Sequence, residues 1–163
     1  MAALRDFITM RFISKSPQFG LALLRIWTGA VLFLRHGWEK QPAHWAQFLT
    51  HFPNPIGIGP HPSFFIAFVS DFVCSILLII GFGTRRAALY CLGNIFVAWA
   101  FVHHFAFFGK GAGSDHGELM VLYIGALLSI LIAGPGAACI DRILARKPGA
   151  LSQDVSGTIR GEV

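Results

Sequence analysis

Seven histidines, His36, His44, His51, His61, His103, His104 and His116, together with Arg25, Lys40, Asp71 and Glu118, are the side chains most able to do chemistry in this chain. Imidazoles and carboxylates can ligate zinc, copper or iron, hydrogen-bond a ligand, or exchange protons near neutral pH. No H-E-x-x-H spacing occurs, and no flavin, haem or iron–sulfur motif. Three fates stay open for the histidines. They are metal ligands (His36, His103, His104 and His116, with Glu118), hydrogen-bond partners of a substrate or quinone, or ordinary interfacial side chains. The last suits His44, His51 and His61 best.

Helical phase indicates which groups converge. Arg25, Gly29, His36 and Lys40 fall at i, i+4, i+11 and i+15, within about 60° of one another at 100° per residue. Asp71, Cys74 and Ser75 share a small polar face, as do Glu118, Gly125 and Ser129. His104 lies about 80° from Asn94, and His103 lies opposite it. A four-helix bundle can turn these faces toward one outward-facing pocket, whose candidate catalytic groups are Asp71, His104 and Glu118 and whose candidate substrate- or cofactor-binding groups are Arg25, His36, Lys40 and His103. Depth along the apolar runs predicts Arg25 and Asp71 as an internal ion pair, either a functional one or one that only holds the helices together.

The elements that must position these groups are apolar helices. Of the 163 residues 55% are hydrophobic and only 13% charged, against roughly 25% in an ordinary soluble domain. Sixteen phenylalanines add to a surface that polar residues cannot cover. This composition excludes disorder, a disulfide-stapled secreted domain and a nucleic-acid-binding module. The net charge of +5 does not revive the last, because the basic residues cluster at the ends of apolar runs. A membrane span needs about 20 largely apolar residues. Four runs approach that: Pro17 to Leu34, Pro62 to Phe82, Ala87 to Phe108, and Glu118 to Ala133 before the breaker Gly134-Pro135-Gly136. Arg25 interrupts the first run and no A-x-A follows, so it reads as a retained anchor.

The expected fold is all-α, a transmembrane four-helix bundle. Its membrane domain spans 17–141, between a cytoplasmic segment 1–16, with an interfacial helix of its own, and a cytoplasmic tail 142–163. Positive charge sets the orientation. Arg5, Arg11, Lys15, Arg85, Arg86, Arg142, Arg146, Lys147 and Arg160 fall on the side of the termini, whereas Arg35, Lys40 and Lys110 fall on the other. Both termini are therefore expected in the cytoplasm, and every histidine on the outer side. Between the first two runs, Trp45, Phe48, Leu49 and Phe52 lie at i, i+3, i+4 and i+7, the apolar face of a short interfacial helix. The glycine-rich 109–114 stretch lacks the Walker pattern and reads as a loop. Cys74, Cys91 and Cys139 show no C-x-x-C and no pair at one depth. A disulfide-generating quinone reductase, which needs paired thiols at the outer face, is not expected, because no cysteine falls on that side.

Several segments, in order, carry a family resemblance: LLRIWTGAVLFLRHGWEK at 23–40, the acidic Asp71, IGFGTRRAAL at 80–89, the histidines ending the third run, GELMVLYIGALL at 117–128 and GPGAACID at 134–141. The chain resembles the DoxX family of small four-span membrane proteins over about 23–141. The family's L-R-x-x-x-G stretch falls on Leu24, Arg25 and Gly29, its first-span lysine on Lys40, its third-span histidine on His103 or His104, and its fourth-span glutamate on Glu118. Asp71 stands where the family usually has glutamate, Cys74 and Ser75 where it has small glycines, and Cys139 where it has serine.

The resemblance implies a subunit or enzyme of a quinone-linked redox system in the bacterial inner membrane, with quinone or a metal ion as cofactor. Family members include a thiosulfate:quinone oxidoreductase and parts of oxidative-stress complexes. The expected partners are the lipid bilayer, a redox partner protein and a second copy of the chain, with no nucleic acid. The alternative is a non-catalytic binding, transport or assembly protein holding a lipid or small solute. Electrons, in the first case, must come from the substrate, a bound metal or a partner.

Overall fold

The computed structural model describes residues 16–105 and 117–144, all in helices and turns with no strand among them. The expected N-terminal interfacial helix, the 109–114 loop, His116 and the tail beyond Leu144 lie outside the described residues. Helix α1 is Pro17–Lys40 and α3 is Pro60–Ile80, and these two are long and apolar enough to cross a membrane. Between them lies the short α2, Trp45–His51. Helix α4 covers 84–102, α5 is the apolar but shorter Gly117–Ala133, and α6 is Ile140–Leu144.

Local chemistry sets several of the helix ends. Ser16 caps α1, its hydroxyl accepting from the Phe19 N–H at 3.4 Å, and Pro17 follows at the first helical position. Gly81 ends α3 in the left-handed region at φ 73°, with its N–H and that of Phe82 both donating to the Leu77 carbonyl. Any side chain there would also collide with Arg25 and Cys139.

Helix α1 packs along residues 75–80 of α3 and against α5, while α4 packs against α5 and α3. Leu32, Leu78, Ala87, Ala88, Cys91, Ile95, Leu127 and Ile130 form the core between them. Outward, Leu23, Trp27, Leu34, Leu122 and Ile132 are each more than half exposed, an apolar surface of the kind that marks lipid or protein contact. The expected apolar face of α2 forms and is turned onto α3. The Trp45 ring meets Phe65 and Phe68 edge-on at 5.3 and 5.4 Å, and Phe48 stacks on Phe64 at 5.7 Å.

Arg25 corrects an expectation: it does not pair with Asp71. It is fully buried and donates from Nε to the Pro135 carbonyl at 3.0 Å, from Nη2 to Ala138 at 2.9 Å, and from Nη1 to Leu78 and Ile79. One guanidinium thus ties the end of α3 to the turn after α5. An Arg25–Asp71 pair would require α1 and α3 to end flush, and they do not. Gly29 faces Ser75 and Gly37 faces Asp71, an antiparallel register that puts Arg25 opposite Leu78 and Ile79. The start of α1 therefore projects about two turns beyond Ile80.

The same end is closed by Asp141, whose carboxylate accepts from the N–H groups of Gly83 at 2.7 Å and Thr84 at 3.0 Å, capping α4 from a distance in sequence. Partial burial pushes this carboxyl up, but those two N–H groups, with Arg25 nearby, hold it below the ordinary carboxylate range. A carboxyl depressed on folding stabilises the fold above its unfolded value of about 4, and that contribution is lost as pH falls through the lower folded value. Asp141→Ala is expected to cost about 1 kcal/mol at neutral pH. Thermal unfolding in detergent across an acid series should show the difference from the wild type shrinking as the carboxyl protonates.

Candidate functional site

A cavity of about 230 Å³ lies between α1, α3, α4 and α5, beneath the 52–56 loop. Its walls are mostly apolar, including Leu32, Phe52, Ile66, Ile95 and Val102, and its polar groups are His36, Lys40, Ser63, Asp71, Asn94, His103 and Tyr123. Three of the four helices around it widen into π-helical turns close to the cavity: Phe33–Gly37, Val69–Cys74 and Ala98–Val102. Such turns take up an extra residue, shift the phase of the rest of the helix by about 100°, and recur at functional sites. The first of them separates Arg25 from the face of His36 and Lys40, so the common stripe expected from a regular helix does not form.

At the base of the cavity Lys40 and Asp71 are both buried, with Nζ and Oδ2 3.1 Å apart. Nζ also donates to the His36 carbonyl at 3.0 Å and lies 3.5 Å from Glu39 Oε1. The second carboxylate oxygen of Asp71 accepts from Asn94 Nδ2 at 3.2 Å. Asp71 therefore has one oxygen on the ammonium and the other on the amide, which fixes the plane of its carboxylate. Beside this pair, His36 Nδ1 lies 3.9 Å from Glu39 Oε1, and Trp45 Nε1 donates to the Lys40 carbonyl at 3.0 Å. Buried opposite charges are costly unless paired and further hydrogen-bonded, and this pair is both.

Glycine is required where α1 meets α3. A Cβ at Gly37 would run into the Asp71 carbonyl, which also accepts from Ser75 Oγ at 2.6 Å. Gly37→Ala is expected to push α1 off α3 at a cost of about 1–3 kcal/mol, read as a lowered unfolding temperature. Gly93→Ala, inside α4 at a position with open space around it, is the control that should leave that temperature unchanged or raise it slightly.

Of the residues singled out from sequence, His36, Lys40, Asp71 and His103 line the cavity. Arg25 is at the far end of the helices. His104, at φ 48°, is exposed and outside the lining, and so is Glu118 in the first turn of α5. Among the described residues no three His, Cys, Asp or Glu side chains converge as a metal site requires. Asn94 joins the site although the sequence marks it only as a polar break in its run, and Tyr123 carries no signal beyond being one of only two tyrosines. The cysteines also correct an expectation. Cys74 and Cys91 share one buried cluster between α3 and α4, and Cys91 Sγ lies 3.4 Å from the carbonyl of Ser70, one turn before Cys74, so the two do lie at one depth.

The DoxX family model matches residues 20–104, which include every polar cavity residue except Tyr123. An "Uncharacterized protein" of Haemophilus influenzae is 32% identical over 142 residues, covering 85% of this chain and all of that one. No solved structure matches the chain.

Proposed function

The chain belongs to the DoxX family of small membrane proteins, and from that premise we propose that its cavity binds the head group of a quinone within a quinone-linked redox system. In this reading α1, α3, α4 and α5 all cross the bacterial inner membrane, α2 sits at the outer interface, both termini are cytoplasmic, and the cavity opens toward the outer side. The carrying observation is the buried Lys40–Asp71 pair, held by the half-buried Asn94, in an apolar-walled cavity. Ligand pockets commonly combine apolar walls with a few placed polar groups, and run to about 300–1,000 Å³ for drug-sized ligands. A volume of about 230 Å³ fits one substituted ring, with a long tail left in lipid.

A bound quinone would supply two-electron, two-proton chemistry. The chain's own residues bind and supply protons. The Lys40 ammonium and the Tyr123 hydroxyl are donors suited to a ring oxygen, and Asp71 balances the lysine charge so that the pocket as a whole stays close to neutral. His36 and His103 are suited to carry protons toward the outer side. Nothing in this scheme uses Arg25.

Ala98 lines the cavity, and phenylalanine there would fill it. Wild-type protein in nanodiscs is expected to bind a short-chain ubiquinone analogue saturably, and Ala98→Phe to weaken that binding at least about tenfold with the fold retained. Failure of the folded wild type to bind any quinone would move the assignment to a passive binder of a lipid or small solute.

A further inference from the structure

We infer that Cys74 and Cys91 are a dithiol that gives two electrons to the ligand of the cavity, closing to a disulfide between α3 and α4. This deepens the quinone reading and rests on it. Reduction of a quinone needs a donor of two electrons, and a pair of thiols is one.

Four observations carry the inference. The two side chains, from different helices, sit in one buried cluster, and Cys91 Sγ lies 3.4 Å from the carbonyl of Ser70, one helical turn before Cys74. Asp71 and Asn94, which face the cavity, precede Cys74 and follow Cys91 by three residues, so the sulfurs lie about one helical turn, roughly 5 Å, from the cavity. The Val69–Cys74 segment is a π-helical turn, so Cys74 ends the one stretch of α3 with irregular backbone. Finally, the buried Ser70 hydroxyl has no hydrogen-bond partner among the described residues, although buried polar groups nearly always have one. It stands on the same turn as Cys74 and supplies a spare donor for a thiolate formed during oxidation.

The step balances. Two S–H bonds break and one S–S bond forms, and the two electrons and two protons released convert one quinone to one quinol. The disulfide is reopened by two equivalents of a small-molecule thiol, which attacks as thiolate through a mixed disulfide and leaves as its own disulfide. Both sulfurs are buried, so the reductant must be small enough to enter by the cavity rather than be a partner protein. Cys139, buried at the opposite end of the molecule beside Gly81, takes no part.

The test uses reduced wild-type protein in nanodiscs under anaerobic conditions, with an equimolar short-chain ubiquinone analogue. Binding is read by fluorescence quenching, quinol by absorbance, and free thiols by alkylation in denaturant followed by mass spectrometry. The expected result is about one quinol per chain, with Cys74 and Cys91 protected from alkylation and Cys139 alkylated. Cys74→Ser and Cys91→Ser should bind the quinone as the wild type does and yield no quinol. Quinone bound to wild type with both thiols still alkylated, and no quinol formed, overturns the dithiol while the ligand reading stands. Absence of binding, read on its own channel, overturns the ligand reading and takes the dithiol with it.

Discussion

Arg25→Met is expected to lose about 3–5 kcal/mol, since several buried carbonyls lose their charged donor at roughly 1–3 kcal/mol each. That is a large fraction of the roughly 5–15 kcal/mol that holds a typical domain together. The arginine is fully buried and is hydrogen-bonded to the carbonyls of Leu78, Ile79, Pro135 and Ala138. Methionine fills much of the volume but leaves those carbonyls without their donors, each a buried polar group whose desolvation is no longer compensated. Lysine should not rescue the variant. Its ammonium is a point charge without the planar fork that here reaches two separate segments at once. Fluorescence-detected gel filtration and thermal unfolding in detergent read the effect, and an Arg25→Met protein as stable as wild type would refute the structural role given to it. Its quinone affinity, measured on whatever fraction remains folded, should be close to wild type, because Arg25 is remote from the cavity.

Asp71→Leu is expected to be about as destabilising, and for a related reason: it leaves the Lys40 ammonium buried beside Asn94 with its principal counter-charge gone. The informative variant is the double one, Lys40→Met with Asp71→Leu. Replacing a whole buried ion pair by apolar side chains is often neutral or stabilising. The double variant should therefore recover most of the stability lost by Asp71→Leu. It should not recover quinone binding, because the donor to the ring oxygen is gone. A double variant that is stable and still binds would show that the pair only holds α1 to α3. A double variant that stays unstable would show that the coupling between these two residues is not what the geometry implies.

Arg25 and Asp71 also mark how far the residues alone reveal the fold and the site. Apolar runs, breakers and prolines place the described helices closely, because burial in such a chain is set by long uninterrupted hydrophobic stretches. The types of His36, Lys40, Asp71 and His103 point to the polar cavity for the general reason that charge inside an apolar run must face something polar. What regular periodicity cannot supply is the offset between neighbouring helices and the phase lost at each π-helical turn. Both decide who meets whom. Depth along the runs therefore gives Arg25 the partner that belongs to Lys40, and leaves Cys74 and Cys91 unrelated although both sit in one buried cluster. Tyr123 stays hidden because one tyrosine in an apolar helix looks the same whether it faces lipid or a cavity.

A photoreactive azidoquinone would show where the ring sits, and so whether the cavity is the quinone site at all. The wild-type protein in nanodiscs would be irradiated with it, and the labelled peptides mapped by mass spectrometry with and without excess unlabelled quinone. Labelling is expected at the cavity residues Met120 and Tyr123 of α5 and in the Ala98–His103 segment, suppressed by the competitor and absent in Ala98→Phe. Labelling confined to exposed residues outside the cavity, such as Trp27 and Ile132, and indifferent to competitor, would contradict the assignment.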